Sequence, residues 1–380
     1  MQHQTQVAQG HRILNYLESR STTMAEAVYR NPVSDYTCPE QFAREREVFF
    51  RASPLLVGLS CEVPEPGDYL TDDFSGVPIL VVRGDDGRLN ALINVCRHRG
   101  ARLVEGRGRI KKAFVCPYHA WSYDRRGCLI GRPHAQAFDG VEAQSHGLRP
   151  LPIVERHGLI WVCPTPGAGF DIEAHLAGLD AEIAAYGFEG YHHYETRDLR
   201  QRMNWKLVVD TFLETYHLNV LHRNTIDPIL YSNLGAFDGF GSNLRLIAAR
   251  RTIGELQDQP EQDWDLIRHT AVVYILFPNT VLIMQGDHLE TWCVYPAGDT
   301  PDAARMHVSL YTPEKASSDS ARRHWERNFK LLLDTVEEED FPVGESIQRG
   351  FHSGAQGHIT FGRNEPALGH YHRQIREALG

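Results

Sequence analysis

Residues 94–103, NVCRHRGARL, and residues 114–124, FVCPYHAWSYD, each put one cysteine and one histidine into a single short loop. The first pair is Cys96-x-His98 and the second is Cys116-x2-His119, with seventeen residues between His98 and Cys116. Both pairs follow apolar, strand-like runs. The flanking sequence has the same texture: VPILVVRG (77–84), LNALINVC (89–96), KAFVCPY (112–118) and GLIWVCP (158–164), separated by Gly, Pro and Asp turns. GDDG at 84–87 predicts a hairpin. These runs read as a small all-β module over residues 54–165, with the two Cys/His loops at its tip.

Two cysteines and two histidines make the ligand set of structural zinc. They also make the set of a Rieske [2Fe–2S] cluster, in which two Cys hold one iron and two His the other. Zinc fingers usually pair Cys with Cys and His with His. Here each loop gives one of each, so a two-iron cluster can take both thiolates on one metal and both imidazoles on the other. This spacing favours the cluster, with zinc as the alternative. Tyr118 and Trp121 are candidates for the groups around the sulfurs that tune its potential, and core packing is the alternative for Trp121.

The rest of the chain is compatible with such a centre. At 380 residues, 42% hydrophobic and 23% charged, it has the balance of a soluble globular protein with one large domain or two ordinary ones. No apolar run approaches the ~20 residues of a membrane span, and the start lacks the pattern of a secretory signal. A net charge of −10 argues against sequence-independent nucleic-acid binding, which needs basic surface. Seven cysteines, five of them scattered at 38, 61, 128, 163 and 293, do not form a disulfide scaffold and suit a reducing, cytoplasmic setting.

Outside the β module the periodicity becomes helical. HRILNYLESRSTTMAEAVY (11–29) and CPEQFAREREVFF (38–50) read as helices, placing residues 1–53 with a second domain over 166–380. In that second domain 171–186 reads as a helix. Residues 271–297 and 304–314 read as antiparallel strands, and 318–351 as a long helix interrupted near Pro342. The fold class is therefore α+β, with an antiparallel sheet packed against long helices.

DTFLETYHLNVLH (210–222) in this domain holds four possible ligands: Asp210, Glu214, His217 and His222. On a regular helix His217 and His222 are separated by about 500°, about 140° away from a shared face. If both bind one metal, the expectation is that His217 lies on a helix and His222 at or beyond a distortion such as a π-bulge. The spacing alone leaves both open to ordinary surface or core roles. Asp210 reads either as a helix-face acid satisfied by Lys206 or as a group close to a metal.

CRHRG followed by CPYHAW resembles the paired loops of the Rieske non-haem iron oxygenases, and NWKLVVDTFLETYHLNVLH is similar to that family's iron-binding segment. The resemblance runs over nearly the whole chain. It implies an all-β Rieske domain, a helix-grip (START-like) catalytic domain with a long C-terminal helix, and a mononuclear Fe(II) held by His217, His222 and a downstream acid. Asp340 in EEEDFPVGESIQRG stands at the family's offset from Glu345 and Gln348, with Glu339 the fallback. Glu214 takes the place of the acid that relays electrons from a neighbouring subunit's cluster histidine, here His119. Most ring-hydroxylating members carry Asp there; Glu resembles the members acting on carnitine, choline or betaines.

By this resemblance the chain is the terminal component of a monooxygenase that hydroxylates or oxidatively dealkylates a small organic substrate. Cis-dihydroxylation of an aromatic ring or acid is the alternative. O2 is the co-substrate, NAD(P)H acts indirectly through a flavin/iron–sulfur reductase, with or without a ferredoxin, and the assembly is a homotrimer. Tyr274, Met284, Gln285, Asp287 and Trp292 are candidate pocket residues. Tyr274, Trp292 and Asp287 would suit a cage for a methylated nitrogen. Two further classes remain: an electron carrier without mononuclear iron, and a helix-grip binder of an apolar ligand whose metals are structural.

Overall fold

A computed structural model describes residues 1–380, and the chain divides into two compact units. One comprises Arg46–Ile172 with Phe188–Gly190; the other holds Met1–Glu45, Glu173–Gly187 and Tyr191–Gly380.

The smaller unit is built from three antiparallel sheets. Ile79–Arg83 and Leu89–Ile93 pair across the GDDG turn, where Gly84 N–H donates to Arg88 O and Gly87 takes a φ of 78° that suits glycine. A separate three-stranded sheet of Phe114–Val115, Ser122–Tyr123 and Leu129–Gly131 carries the second Cys/His loop. Leu80, Val82, Leu92, Phe114, Trp121 and Tyr123 pack into one core together with Cys96 and Cys116, which fixes both loops against the same apolar floor.

The larger unit is organised by a seven-stranded antiparallel sheet. Its strand order is His192–Gln201, Ala304–Thr312, Leu289–Pro296, Thr280–Met284, Thr270–Leu276, Asn243–Arg250 and Leu230–Phe240. One long helical segment begins as Asp319–Thr335, passes through a π turn over Val336–Asp340 and continues as Phe341–Phe351. The π turn ends just before Pro342, which has no N–H to return to Glu338. The helix therefore does not break at Pro342. It widens by one residue before it, and Asp340 is the last residue of that turn.

Elsewhere three expectations give way. The first helix spans His3–Ser19 and stops at Arg20, whose φ is 50°; Tyr29–Pro32 is instead a strand paired with His358–Phe361. The stretch read as one helix over 171–186 is two short ones, Ile172–Leu176 and Asp180–Ala184, divided by a tight turn through Gly178. Lys206 does not satisfy Asp210: its ammonium donates to Glu45 Oε1 at 2.5 Å, and Trp205 Nε1 donates to the other oxygen at 2.8 Å. All three side chains are fully buried, so removing Glu45 would strand an ammonium at a cost of about 3–5 kcal/mol.

Candidate metal centres and substrate cavity

In the smaller unit the Cys96 and Cys116 thiols are buried, and the His98 and His119 rings lie 4.7 Å apart. Nδ1 of each histidine is sealed from water without a hydrogen-bond partner. Buried polar atoms are normally paired, so two orphaned imidazole nitrogens beside two buried thiols fit a metal cluster ligated through those atoms. The turns are held by backbone bonds, Gly100 N–H to Cys96 O and Ala120 N–H to Cys116 O.

The groups around the sulfurs differ from those expected. Trp121 is buried and stacks on His98 at 4.8 Å, while Tyr118 is 59% exposed and lies against His119 at 3.8 Å. Both therefore touch histidines. Tyr123 is the residue at the sulfur. Its hydroxyl accepts from Arg97 N–H at 3.0 Å and lies 3.4 Å from Cys96 Sγ, where its own proton is free to point. Burial, with Cys96 alongside, pushes its pKa well up, so the proton is retained. Its place at the end of CPYHAWSY was the available signal.

In the larger unit the helix Trp205–Asp210 ends before Glu214, and residues 211–217 form turns. A single helical turn, Leu218–Leu221, follows, with His217 capping its start and His222 its end. His217 is thus at the mouth of a one-turn helix and not on a longer one. No π-bulge separates the histidines; the π turn lies in the helix that brings Asp340.

His217 Nε2 lies 3.6 Å and His222 Nε2 3.2 Å from the same oxygen, Asp340 Oδ1. One ligand atom from each residue falls within 4.8 Å of the others. Burial opposes charge on His222, but Asp340 and Glu339 outweigh it and raise its pKa. The pocket thus favours a positive charge between these groups, which is what a divalent cation would supply.

Each imidazole is also held from behind. Glu214 accepts from His217 Nδ1 and from the backbone N–H groups of Tyr216 and His217. Glu339 Oε2 accepts from His222 Nδ1 at 2.5 Å and from Thr225 Oγ1 at 2.7 Å. Carboxylates on Nδ1 leave Nε2 of both rings as the free lone pair. Glu339 is therefore an orienting acid, with Asp340 as the converging one. The two segments are tied further along: Gln348 Oε1 accepts from Asn204 N–H at 3.0 Å, and Glu345 Oε1 from Arg202 N–H at 3.1 Å.

Asp210 is buried between Tyr36, whose hydroxyl donates to Oδ2 at 2.6 Å, and His372, whose Nε2 lies 2.8 Å from Oδ1. It also lines a cavity shared with Glu214, His217 and Asp340.

A second cavity, of about 240 Å³, is lined by the same three residues and lies between the sheet and the long helix. Leu246, Ala248, Ala271, Val273 and Ile283 form its floor, with Leu331, Leu332 and Val336 above. Of the five expected pocket residues only Gln285 lines it. Side chains alternate across a strand, so with 271, 273 and 283 facing the cavity, Tyr274 and Met284 point to the other face. Tyr274 bonds Glu182 and Tyr186 there. Trp292 is buried against Phe212 at 5.0 Å, and Asp287 is exposed and bonded to His288 and His324. Tyr274, Trp292 and Asp287 do not form a cage. The polar end of the cavity is made instead by Arg250, Gln285, His288 and Glu290.

Comparison with known proteins agrees with this architecture. Residues 188–380 match the ring hydroxylating alpha subunit (catalytic domain) family, and residues 53–152 the Rieske [2Fe–2S] domain. A glycine betaine monooxygenase oxygenase subunit of Chromohalobacter salexigens is 35% identical over 245 residues, covering 62% of this chain and about half, 52%, of that relative. A carnitine monooxygenase oxygenase subunit of Escherichia coli K12 is 26% identical over 364 residues, covering 92% and 93%. The fold is similar to that of the quaternary ammonium Rieske monooxygenase CntA bound to L-carnitine, with a TM-score of 0.80 at 20% identity over 93% of this chain and 96% of that one. It is also similar to naphthalene 1,2-dioxygenase bound to phenanthrene, with a TM-score of 0.75 at 18% identity over 92% of each. With the catalytic-domain match alone covering half of its length, the chain belongs to the ring-hydroxylating alpha subunits, a family of Rieske-type oxidoreductases.

Proposed function

We propose that this chain is the terminal oxygenase of a multicomponent Rieske monooxygenase. It hydroxylates or oxidatively dealkylates a small organic substrate, of which compounds with a methylated nitrogen are the first class to test, given the relatives' names. The observation that carries the reading is the convergence of His217, His222 and Asp340 at the wall of an apolar cavity. Cys96 and Cys116 would hold one iron of a [2Fe–2S] cluster and His98 and His119 the other; His217, His222 and Asp340 would hold Fe(II). When bound, the cluster supplies one-electron transfer and the mononuclear iron supplies O2 activation.

The chain's own residues set the conditions for that chemistry. Glu214 and Glu339 hold the Nδ1 protons of His217 and His222, so both rings present Nε2 toward Asp340. The aliphatic floor and the helix above it limit water around the substrate. Glu214 and His217 also border the cavity that Asp210 lines, near which Tyr216, Val220, Val343 and Ile347 are exposed apolar side chains. An exposed apolar surface around a relay acid suits docking of another subunit's cluster loops. We therefore assign Glu214 as the relay to His119 of a neighbouring subunit in a head-to-tail homotrimer. A flavin/iron–sulfur reductase, directly or through a ferredoxin, is the electron donor in this reading.

The test is NADH- and reductase-coupled O2 uptake with a panel of methylammonium and aromatic compounds, beside iron analysis. About three iron per chain are expected, two from the cluster and one mononuclear. Asp340→Ala should lose all coupled product while the cluster spectrum persists. Unchanged turnover in that variant would sink the assignment, and two iron per chain with no oxygenation would mark an electron carrier.

A further inference from the structure

The polar end of the substrate cavity holds an arginine that no carboxylate touches, although Asp287 and Glu290 act on it through space. Arg250 ends the strand Asn243–Arg250 and lines the cavity. Its Nε donates to Thr270 O at 3.2 Å and its Nη2 to Gln285 Oε1 at 2.7 Å. Both partners are neutral, no carboxylate forms a contact ion pair with it, and neither bond uses Nη1. Guanidinium stays charged in proteins and offers a planar fork that fits carboxylate.

These two acids act on Arg250 through space, but their hydrogen bonds go to histidines and leave its fork uncapped. His288 lies between Asp287 Oδ1 at 2.8 Å and Glu290 Oε1 at 3.0 Å, and Asp287 Oδ2 reaches His324 Nε2 at 2.9 Å. Glu290 Oε2 is buried without a partner, so a donor group beside the substrate's anion would also be accommodated. Toward the histidine pair the lining mixes aliphatic side chains such as Leu218, Ile226 and Val336 with Thr211, Thr215 and Thr335. Phe212 is its one Phe, Tyr or Trp ring, so a cation–π cage cannot be what selects the substrate.

We propose that Arg250, seated on Gln285, anchors a carboxylate of the substrate, so that the cavity selects small organic acids whose apolar or methylated end faces His217, His222 and Asp340. This rests on the oxygenase reading of the same cavity and adds which chemical handle that cavity grips. A neutral or purely cationic compound of equal size leaves the guanidinium unpaired and binds more weakly.

Matched pairs separate this handle from everything else. Glycine betaine and choline share a trimethylammonium group but carry a carboxylate and a hydroxyl; benzoate and benzyl alcohol differ in the same way on a ring. Binding of each to the iron-loaded protein is measured by calorimetry. In at least one pair the acid should bind about 10-fold or more tighter than the alcohol, and Arg250→Gln should bring that ratio close to one. Arg250→Lys, which keeps the charge without the fork, should reduce the ratio to an intermediate value. It decides the matter if Arg250→Gln does not fold. An unchanged ratio in these variants, binding of no acid, or preference for the alcohols would overturn the proposal. Coupled O2 uptake on the same compounds is scored separately: turnover without acid preference removes only the Arg250 anchor. Absence of any turnover with intact cluster and iron removes the oxygenase reading instead.

Discussion

Glu339 and His222 meet at 2.5 Å, Oε2 to Nδ1, while the residue after Glu339 presents its own carboxylate to the opposite nitrogen of the same ring. Adjacent residues on a regular helix point about 100° apart. Here the π turn over Val336–Asp340 lets two consecutive acids address both nitrogens of one imidazole. Glu339 fixes which nitrogen keeps the proton, and Asp340 faces the other, where a metal would bind.

Glu339→Ala is accordingly expected to leave His222 in place but free to rotate or change tautomer. Loss of such an orienting carboxylate typically lowers metal affinity or activity by about 10–100-fold. The check is mononuclear iron retained after dialysis against a weak chelator, with the cluster absorbance as internal control. Full retention together with unchanged turnover would contradict the orienting role.

Asp210 is expected to matter for folding more than for the metal. It satisfies two buried partners, Tyr36 and His372, drawn from opposite ends of the chain. Asp210→Ala removes the acid from both and leaves Tyr36 and His372 only their mutual contact at 2.9 Å, which should cost about 1–3 kcal/mol in urea unfolding, while Tyr36→Phe should cost about 0.5–1.5 kcal/mol. Normal stability combined with loss of iron in Asp210→Ala would instead place this acid functionally beside the metal.

A pH dependence follows from His288. Burial disfavours its charge, but the hydrogen bonds it donates to Asp287 and Glu290 overcome this and raise its pKa to about 9. The folded-state value lies above the unfolded one, so the stabilisation is complete below about pH 6.5 and fades as pH rises through 9. Wild-type protein should lose on the order of 2–3 kcal/mol across that window relative to His288→Gln. Asp287, held down to about 2 chiefly by its bond to His288, contributes stability that is present above about pH 4 and lost only as pH falls through 2. Parallel stability curves for the two proteins between pH 6.5 and 9 would remove His288 as their source.

How much of this was legible depends on the distance over which each constraint acts. The Cys96/His98 and Cys116/His119 loops are local patterns, and their spacing alone separates cluster from zinc finger. Asp340 was reachable through its offset from Glu345 and Gln348, which bond the backbone of Arg202 and Asn204. The cavity wall was not reachable. Which of Ala271–Tyr274 or Ile283–Gln285 faces inward is a question of strand parity against the helix above, and choosing one phase exchanges every side chain on the strand. Taking Tyr274 inward therefore concealed Val273 and, across the sheet, Arg250 and Glu290. The partner of Lys206 was hidden for a similar reason: Glu45 lies far away in sequence, whereas Asp210 is one helical turn off.

The hydroxyl of Tyr123 gives the last prediction. A proton pointed at Cys96 Sγ stabilises the more negative, reduced state of a cluster bound there, so Tyr123→Phe should lower the reduction potential. One hydrogen bond to a charged group contributes about 1.5–3 kcal/mol. Part of that is felt in both oxidation states, so a shift of several tens of mV is expected, at 59 mV per tenfold change for one electron. The same substitution removes the acceptor of Arg97 N–H and should loosen the first loop slightly. Spectroelectrochemical titration reads the potential, and thermal unfolding followed at the cluster band reads the loop. A potential equal to that of the wild type would mean that the hydroxyl serves only Arg97 N–H, whatever its distance from the sulfur.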